Sequence, residues 1–177
     1  MSGKDRFALA VATCGVGYIK YAPGTWGSLV GVLLYLIWSV LVGALDLNGY
    51  SGGAVTAVSF VVNGGAVGLV VAVGIWAAGQ AAMLFGEKDP QKIVVDEVMG
   101  QLVTYLFIPF GSGWRLLLAG FVLFRLFDIF KPYPIRRFET LPGGFGVCID
   151  DVAAGVYAGL VLFFANLLLM NPANPIF

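Results

Sequence analysis

Long apolar segments alternate with short polar segments along most of this chain. The pattern predicts five hydrophobic helices, at residues 29–45, 53–85, 93–110, 114–130 and 152–170. A helix needs about 20 apolar residues to cross the hydrocarbon core of a bilayer, so most of these segments are typical of membrane-spanning helices. The sequence therefore predicts an all-α, polytopic membrane helix bundle.

The amino-terminal apolar segment is shorter than the others and covers residues 7–19. Because a segment of this length does not cross a bilayer unaided, we expect a short interfacial or re-entrant helix that stays attached, rather than a cleaved signal peptide. Further along, Pro109 and the Gly-Ser-Gly sequence at 111–113 predict the turn of a helical hairpin. We expect residues 1–177 to form a single membrane-embedded domain.

Composition excludes several classes of function. Hydrophobic residues make up 59% of the chain and charged residues 11%, and ten acidic residues balance ten basic ones. A nucleic-acid-binding protein needs a surplus of basic residues, so that class is not expected. The sequence contains no histidine, which excludes Ser-His-Asp triads and histidine-ligated zinc. Cys14 and Cys148 have small or apolar neighbours and are predicted to be buried packing residues.

The charged residues gather at one side of the predicted membrane. With alternating helices, only Asp46 and Arg115 fall on the other side. Basic residues are enriched in cytoplasmic loops, so the N-terminus is predicted to be cytoplasmic and the C-terminus external. The basic residues on the cytoplasmic side are Lys4, Arg6, Lys20, Lys88, Lys92, Lys131, Arg136 and Arg137.

Five carboxylates lie near the cytoplasmic ends of three predicted helices: Asp96, Glu97, Asp128, Asp150 and Asp151. Ionised groups are costly in a membrane unless they are paired, coordinated or hydrated. Ligation by oxygen alone favours Mg²⁺, with Mn²⁺ as the alternative, so these five acids are candidate metal ligands and catalytic residues.

Simpler roles for these acids stay open. Adjacent residues project about 100° apart on a helix, so Asp96 and Glu97 are not expected to point the same way. Arg125 and Asp128 have the spacing of a helical ion pair. The pair at 150–151 is placed at a predicted helix start, where acids also act as caps.

Cations and hydroxyl groups near the acids suit an anionic ligand. The alternatives are helix capping for the hydroxyl groups, and anchoring to anionic lipid for Arg136. The Gly-Gly-Phe-Gly sequence at 143–146 is predicted to be a flexible turn. The candidate substrate-binding residues are Lys20, Thr25, Ser28, Arg125, Lys131 and Arg136.

Four blocks of the sequence carry a resemblance to a known family. They read PGTWGS at 23–28, VDEVMG at 95–100, FRLFDIFKPYPIR at 124–136 and GVCIDDVAAG at 146–155. In this order the blocks resemble bacterial phosphatidylglycerophosphatase A. The resemblance implies a Mg²⁺-dependent phosphatase of the bacterial inner membrane that converts phosphatidylglycerophosphate to phosphatidylglycerol and inorganic phosphate.

The resulting hypothesis is metal-assisted attack of water on a phosphomonoester at the cytoplasmic membrane face. A covalent aspartyl-phosphate route stays open. A transporter is one alternative function, but it predicts acids spread through the membrane depth. A lipid phosphotransferase is another, but the Asp-Gly-x-x-Ala-Arg motif of the CDP-alcohol enzymes is absent from the sequence.

Overall fold

The computed structural model describes residues 1–44, 52–88, 90–108 and 113–169, and within these ranges its regular structure is entirely helical. This confirms the predicted all-α fold. Asp46 and residues 109–112 of the turn predicted at 109–113 lie outside the described residues. The six α-helices are α1 (Gly3–Thr13), α2 (Pro23–Ala44), α3 (Gly52–Phe85), α4 (Val95–Tyr105), α5 (Trp114–Phe130) and α6 (Gly143–Leu169).

Three helices in the described part of the chain are long and apolar enough to cross a membrane, at Pro23–Val42, Phe60–Phe85 and Gly143–Leu168. Helix α4 has only 11 residues, so it is shorter than the predicted segment at 93–110. It packs against α2, α3, α5 and α6, and nearly all of its side chains are buried. The protein is therefore a membrane helix bundle built around a short central helix.

Helix α1 closes one end of the bundle. Ser2 and Asp5 form a capping box at its start, and the hydrogen bond from the Ser2 backbone N–H holds the pKa of Asp5 below its usual value. Buried Ala12 packs with alanines of α3, and its carbonyl oxygen accepts a hydrogen bond from the Val94 N–H at 2.9 Å. An amino-terminal helix too short to cross the bilayer is confirmed, at the end of the bundle where α4 begins.

Helix α6 begins at Gly143, well before the predicted start of the last hydrophobic helix at residue 152. A Cβ atom on Gly144 would collide with the Ile75 carbonyl oxygen, so glycine is needed for the close approach of α6 to α3. The prediction of a flexible turn at 143–146 is wrong, because this segment is the first turn of α6. Asp150 and Asp151 consequently lie about two turns inside the helix, and their predicted placement at its start is wrong as well.

Candidate active site

The backbones of α4 and α6 touch one helical turn below two of the predicted site residues. Gly100 follows Asp96 by four residues, and Gly155 follows Asp151 by four. A Cβ atom on Gly155 would collide with the Gly100 carbonyl oxygen, and one on Gly100 would lie 2.6 Å from the Asp151 carbonyl oxygen. Since residues four apart lie on one helix face, this contact brings the two carboxylates together.

Asp96, Glu97 and Asp151 form a three-carboxylate cluster. One oxygen from each lies within 4.8 Å of the others, and the residues of both aspartates are less than a tenth exposed. Adjacent positions project about 100° apart on a helix, yet one oxygen of Asp96 and one of Glu97 lie within this distance of each other. Glutamate has one more methylene group than aspartate, which gives Glu97 the reach to join its neighbour. Asp96 Oδ1 also accepts a hydrogen bond from the Glu97 N–H at 3.1 Å.

Gly24 at the start of α2 makes room for Glu97. A Cβ atom at position 24 would collide with Glu97 Oε1 and lie 3.1 Å from Arg125 Nη1. The other oxygen, Glu97 Oε2, is buried and has no hydrogen-bond partner among the described residues. A buried carboxylate oxygen of this kind needs a cation or a hydrogen-bond donor.

Arg125 of α5 joins two acids and a hydroxyl group. Its Nη1 lies 2.7 Å from Asp128 Oδ2 and 3.9 Å from Glu97 Oε1. The ion pair predicted between Arg125 and Asp128 is thus present, one turn apart on the same helix. Arg125 Nη1 also donates to Ser28 Oγ at 3.5 Å, and that hydroxyl donates to the Gly24 carbonyl oxygen at 2.9 Å.

Lys131 pairs with Asp150 across the end of α5. The helix ends at Lys131 in the left-handed conformation (φ 44°, ψ 64°), just before Pro132. Lys131 Nζ donates to Asp150 Oδ2 at 2.6 Å, while Asp150 Oδ1 is buried with no partner in the described part of the chain. The left-handed backbone conformation of Lys131, a non-glycine residue, costs about 1–2 kcal/mol of conformational free energy. The adjacent acids of α6 therefore differ, since Asp150 contacts a cation, whereas Asp151 lies beside the carboxylates of Asp96, Glu97 and Asp128.

These groups line one cleft of about 450 Å³. Five carboxyl groups and three basic side chains line it, so their formal charges sum to minus two when every group is ionised. Thr25 and Ser28 are not among the lining residues, although Ser28 contacts Arg125. The ionisable residues that line the cleft are Lys20, Asp96, Glu97, Arg125, Asp128, Lys131, Asp150 and Asp151.

Arg136 does not line the cleft either. Ile135 is fully buried in a cluster with Phe124, Ala154 and Ala158, which fixes the short 3₁₀ helix that follows α5. With Ile135 facing inward, the Arg136 side chain next to it is exposed. The role of Arg136 in substrate binding stays a prediction.

The family model for phosphatidylglycerophosphatase A matches residues 9–166, which include every element of the cleft. The chain belongs to the phosphatidylglycerophosphatase A family. The four sequence blocks that carry the resemblance meet around the cleft. Two come from the starts of α2 and α4, one from the first three turns of α6 and one from the end of α5.

Three relatives of this family member cover most of its length. It is 40% identical over 84% of its chain to a Haemophilus influenzae protein named phosphatidylglycerophosphatase A, and covers 82% of that protein. An Escherichia coli protein of the same name is 34% identical over 85% of the chain, with 77% of its own length covered. A Bacteroides thetaiotaomicron protein provisionally named a phosphatidylinositol-3-phosphatase is 37% identical over 86% of the chain, with 88% covered. No solved structure gives a significant match.

The chemistry of the cleft suits a divalent cation. All candidate ligands are carboxylate oxygens, and two buried ones, Glu97 Oε2 and Asp150 Oδ1, have no protein partner among the described residues. Hard cations such as Mg²⁺ and Mn²⁺ prefer oxygen donors of this type. The acidic cluster can therefore bind a divalent metal ion.

The packing roles of Gly24 and Gly100 were not predicted from the sequence. A signal for Gly100 is nevertheless present in the spacing, because Asp-x-x-x-Gly occurs at 96–100 and again at 151–155. On two helices that enter the bundle from the same end, this spacing places a carboxylate one turn above a backbone contact.

Proposed function

We propose that this protein hydrolyses the terminal phosphomonoester of phosphatidylglycerophosphate, releasing phosphatidylglycerol and inorganic phosphate. Its family and the names of the Haemophilus and Escherichia relatives support this substrate. The observation that carries the proposal is the cleft itself, which combines five carboxylates with three cations at one end of the membrane-capable helices. A phosphorylated lipid headgroup meets these groups while its acyl chains stay in the bilayer.

Asp96, Glu97 and Asp151 would hold the metal ion, which we propose to be Mg²⁺, with Mn²⁺ as a substitute. When bound, a divalent cation neutralises phosphoryl oxygens and increases the acidity of a coordinated water. The charge balance supports this assignment, since a cleft with two excess negative charges repels a phosphomonoester dianion. Asp128 and Asp150 take part from outside this cluster, each already beside a cation.

The remaining residues bind and orient the phosphate. Arg125 and Lys131 hold their charges at the cleft, fixed by Asp128 and Asp150, and Lys20 lies at its exposed edge. We assign Asp128, which lies outside the three-carboxylate cluster, as the base that takes a proton from the attacking water. The new bond joins the water oxygen to phosphorus, and the bond to the glycerol oxygen breaks. That oxygen takes a proton from solvent at the open side of the cleft.

We propose that this end of the bundle faces the cytoplasm of a bacterial cell, at its inner membrane. Lys20, Lys92 and Lys131 lie in the segments that join the helices at the end where the acids gather. Basic residues are enriched in cytoplasmic loops, which supports this orientation.

Measuring phosphate release from a panel of lipids tests the proposed substrate. The purified protein in mixed micelles with Mg²⁺ is expected to hydrolyse phosphatidylglycerophosphate at least about tenfold faster than phosphatidic acid or phosphatidylinositol-3-phosphate, the difference that 1.4 kcal/mol of selectivity produces. The Bacteroides relative makes the inositol lipid the sharpest competitor. Faster hydrolysis of that lipid, or equal hydrolysis of all three, would refute the assignment.

Replacing Arg125 by methionine is expected to lower kcat/KM about 10- to 100-fold, as loss of a group that orients metal or phosphate ligands does. Methionine keeps much of the length but removes the charge that Asp128 and Glu97 share. The matched control is Arg115→Met, which removes the same charge from the opposite end of α5, where Arg115 lies over the Trp114 ring. Equal losses in both variants would contradict a specific role for Arg125.

A further inference from the structure

Gln101 is a fully buried polar residue in the middle of α4. Neither Oε1 nor Nε2 of its side chain has a hydrogen-bond partner in the described ranges. A side-chain amide carries two donor hydrogens and an acceptor oxygen, and leaving them unpaired in the interior costs stability. Most buried polar groups in proteins are satisfied, so one that is retained without a partner calls for a function.

The position of Gln101 places it directly beneath the three-carboxylate cluster. It follows Glu97 by four residues, so the two side chains lie on the same face of α4. Helical side chains lean toward the N-terminal end of the helix, which directs the Gln101 amide toward the turn that carries Glu97. Glu97 Oε2 is also buried and unpaired. A buried donor and a buried acceptor that both lack partners among the described residues thus belong to side chains one helical turn apart on the same face of α4.

Helix α2 holds Gln101 in this place. A Cβ atom on Gly31 would lie 2.8 Å from Gln101 Cβ and 3.1 Å from its Cγ, so the glutamine stem rests on the glycine backbone. Gly24 lies seven residues earlier, about two turns away on the same face of α2, and makes room for the Glu97 carboxylate in the same manner. The two glycines thus fit the Glu97–Gln101 pair into one groove between α2 and α4.

We infer that Gln101 is a positioning residue, whose amide donates to Glu97 Oε2 through one buried water and so orients the carboxylate toward the metal ion. Gln101 is fully buried, so it does not touch substrate. The inference rests on the proposed metal site. Removal of a residue that hydrogen-bonds to a metal ligand commonly lowers metal affinity 10- to 100-fold.

The test compares Gln101→Met with Leu102→Met, a neighbouring buried position where the volume is also conserved. Binding of Mn²⁺ to each purified protein is measured directly from the free-ion EPR signal. We expect Gln101→Met to bind Mn²⁺ about 10- to 100-fold more weakly, with no fall in the thermal midpoint of the metal-free protein. Leu102→Met is expected to bind Mn²⁺ as the unaltered protein does.

A second readout separates positioning from packing. If Gln101 acts through metal binding, the lost activity of Gln101→Met returns at high Mg²⁺ concentration, while KM for the lipid stays unchanged. Unaltered Mn²⁺ affinity in Gln101→Met would overturn the inference, and so would a variant that fails to fold, since that outcome would show the amide to be structural. Because Mn²⁺ binding is measured without substrate, a protein that binds the ion but does not release phosphate would refute the proposed function alone.

Discussion

Changing Asp151 to asparagine is expected to reduce phosphate release at least about 100-fold. Loss of a residue that only hydrogen-bonds to a metal ligand lowers activity up to about 100-fold, and loss of a ligand itself should cost at least as much. Asp151 belongs to the buried three-carboxylate cluster. Among the described residues the ion pair on this part of α6 is made by Asp150 and not by Asp151. Asparagine keeps the shape of the side chain but offers a neutral ligand. The measurement is turnover of phosphatidylglycerophosphate by the purified variant at saturating Mg²⁺.

The same substitution is expected to stabilise the protein when no metal is present. Two unit charges no more than 4.8 Å apart repel by about 3.5 kcal/mol or more at an effective dielectric constant of about 20, and asparagine at position 151 removes the repulsion with both other members of the cluster. Structural relaxation and proton uptake reduce this effect, so we expect a gain of about 1–3 kcal/mol in the free energy of unfolding. For a chain of this size, each kcal/mol raises the thermal midpoint by about 2–4 °C.

Asp150, the neighbouring acid, provides a matched comparison in which the expected change in stability has the opposite sign. Asp150→Asn removes the negative charge that Lys131 Nζ contacts at 2.6 Å, which is expected to lower the thermal midpoint. Asp5→Asn, in the exposed capping box of α1, is expected to leave turnover unchanged. Retention of more than a tenth of the turnover in Asp151→Asn, or destabilisation by both substitutions in α6, would contradict the assigned roles.

The convergence of the acids was predictable from the sequence because it depends on helix ends. Alternation of apolar segments places residues 96–97, 128 and 150–151 at one end of the bundle whatever the details of packing. Which member of each pair faces inward depends on where the helices touch. The contact between Gly100 and Gly155 determines that Asp96 and Asp151 approach each other, and its meaning becomes clear only when the two helices are seen together.

Other features depended on contacts that no local pattern reveals. The glycines at 143–144 are typical of a turn, yet the backbone of α3 at Ile75 makes them the start of α6. Arg136 follows two prolines and a lysine near the acids, but burial of Ile135 directs it away from the cleft. Gln101 is a single amide among apolar residues, and its importance follows from the groove that Gly31 forms around it.

Removing divalent metal is expected to abolish activity and to destabilise the protein together. With an excess of chelator, phosphate release should fall to the background rate, and it should return when Mg²⁺ or Mn²⁺ is added. At a metal concentration about 100 times the Kd, binding stabilises the folded state by about 2.7 kcal/mol, so the thermal midpoint should rise when the ion is restored. Chelator saturated with Mg²⁺ beforehand is the control for effects of the chelator itself.

The thermal shift distinguishes a metal bound by the cluster from one bound by the lipid phosphate alone. A cluster-bound ion stabilises the protein without substrate, and this stabilisation should disappear in Asp151→Asn, whose metal-free form already lacks the repulsion that the ion relieves. If the ion enters only with the lipid, both proteins would show no shift. Full turnover in chelator would refute metal dependence altogether. Without a metal ion, the carboxylates that outnumber the cations in the cleft are expected to repel the phosphate dianion.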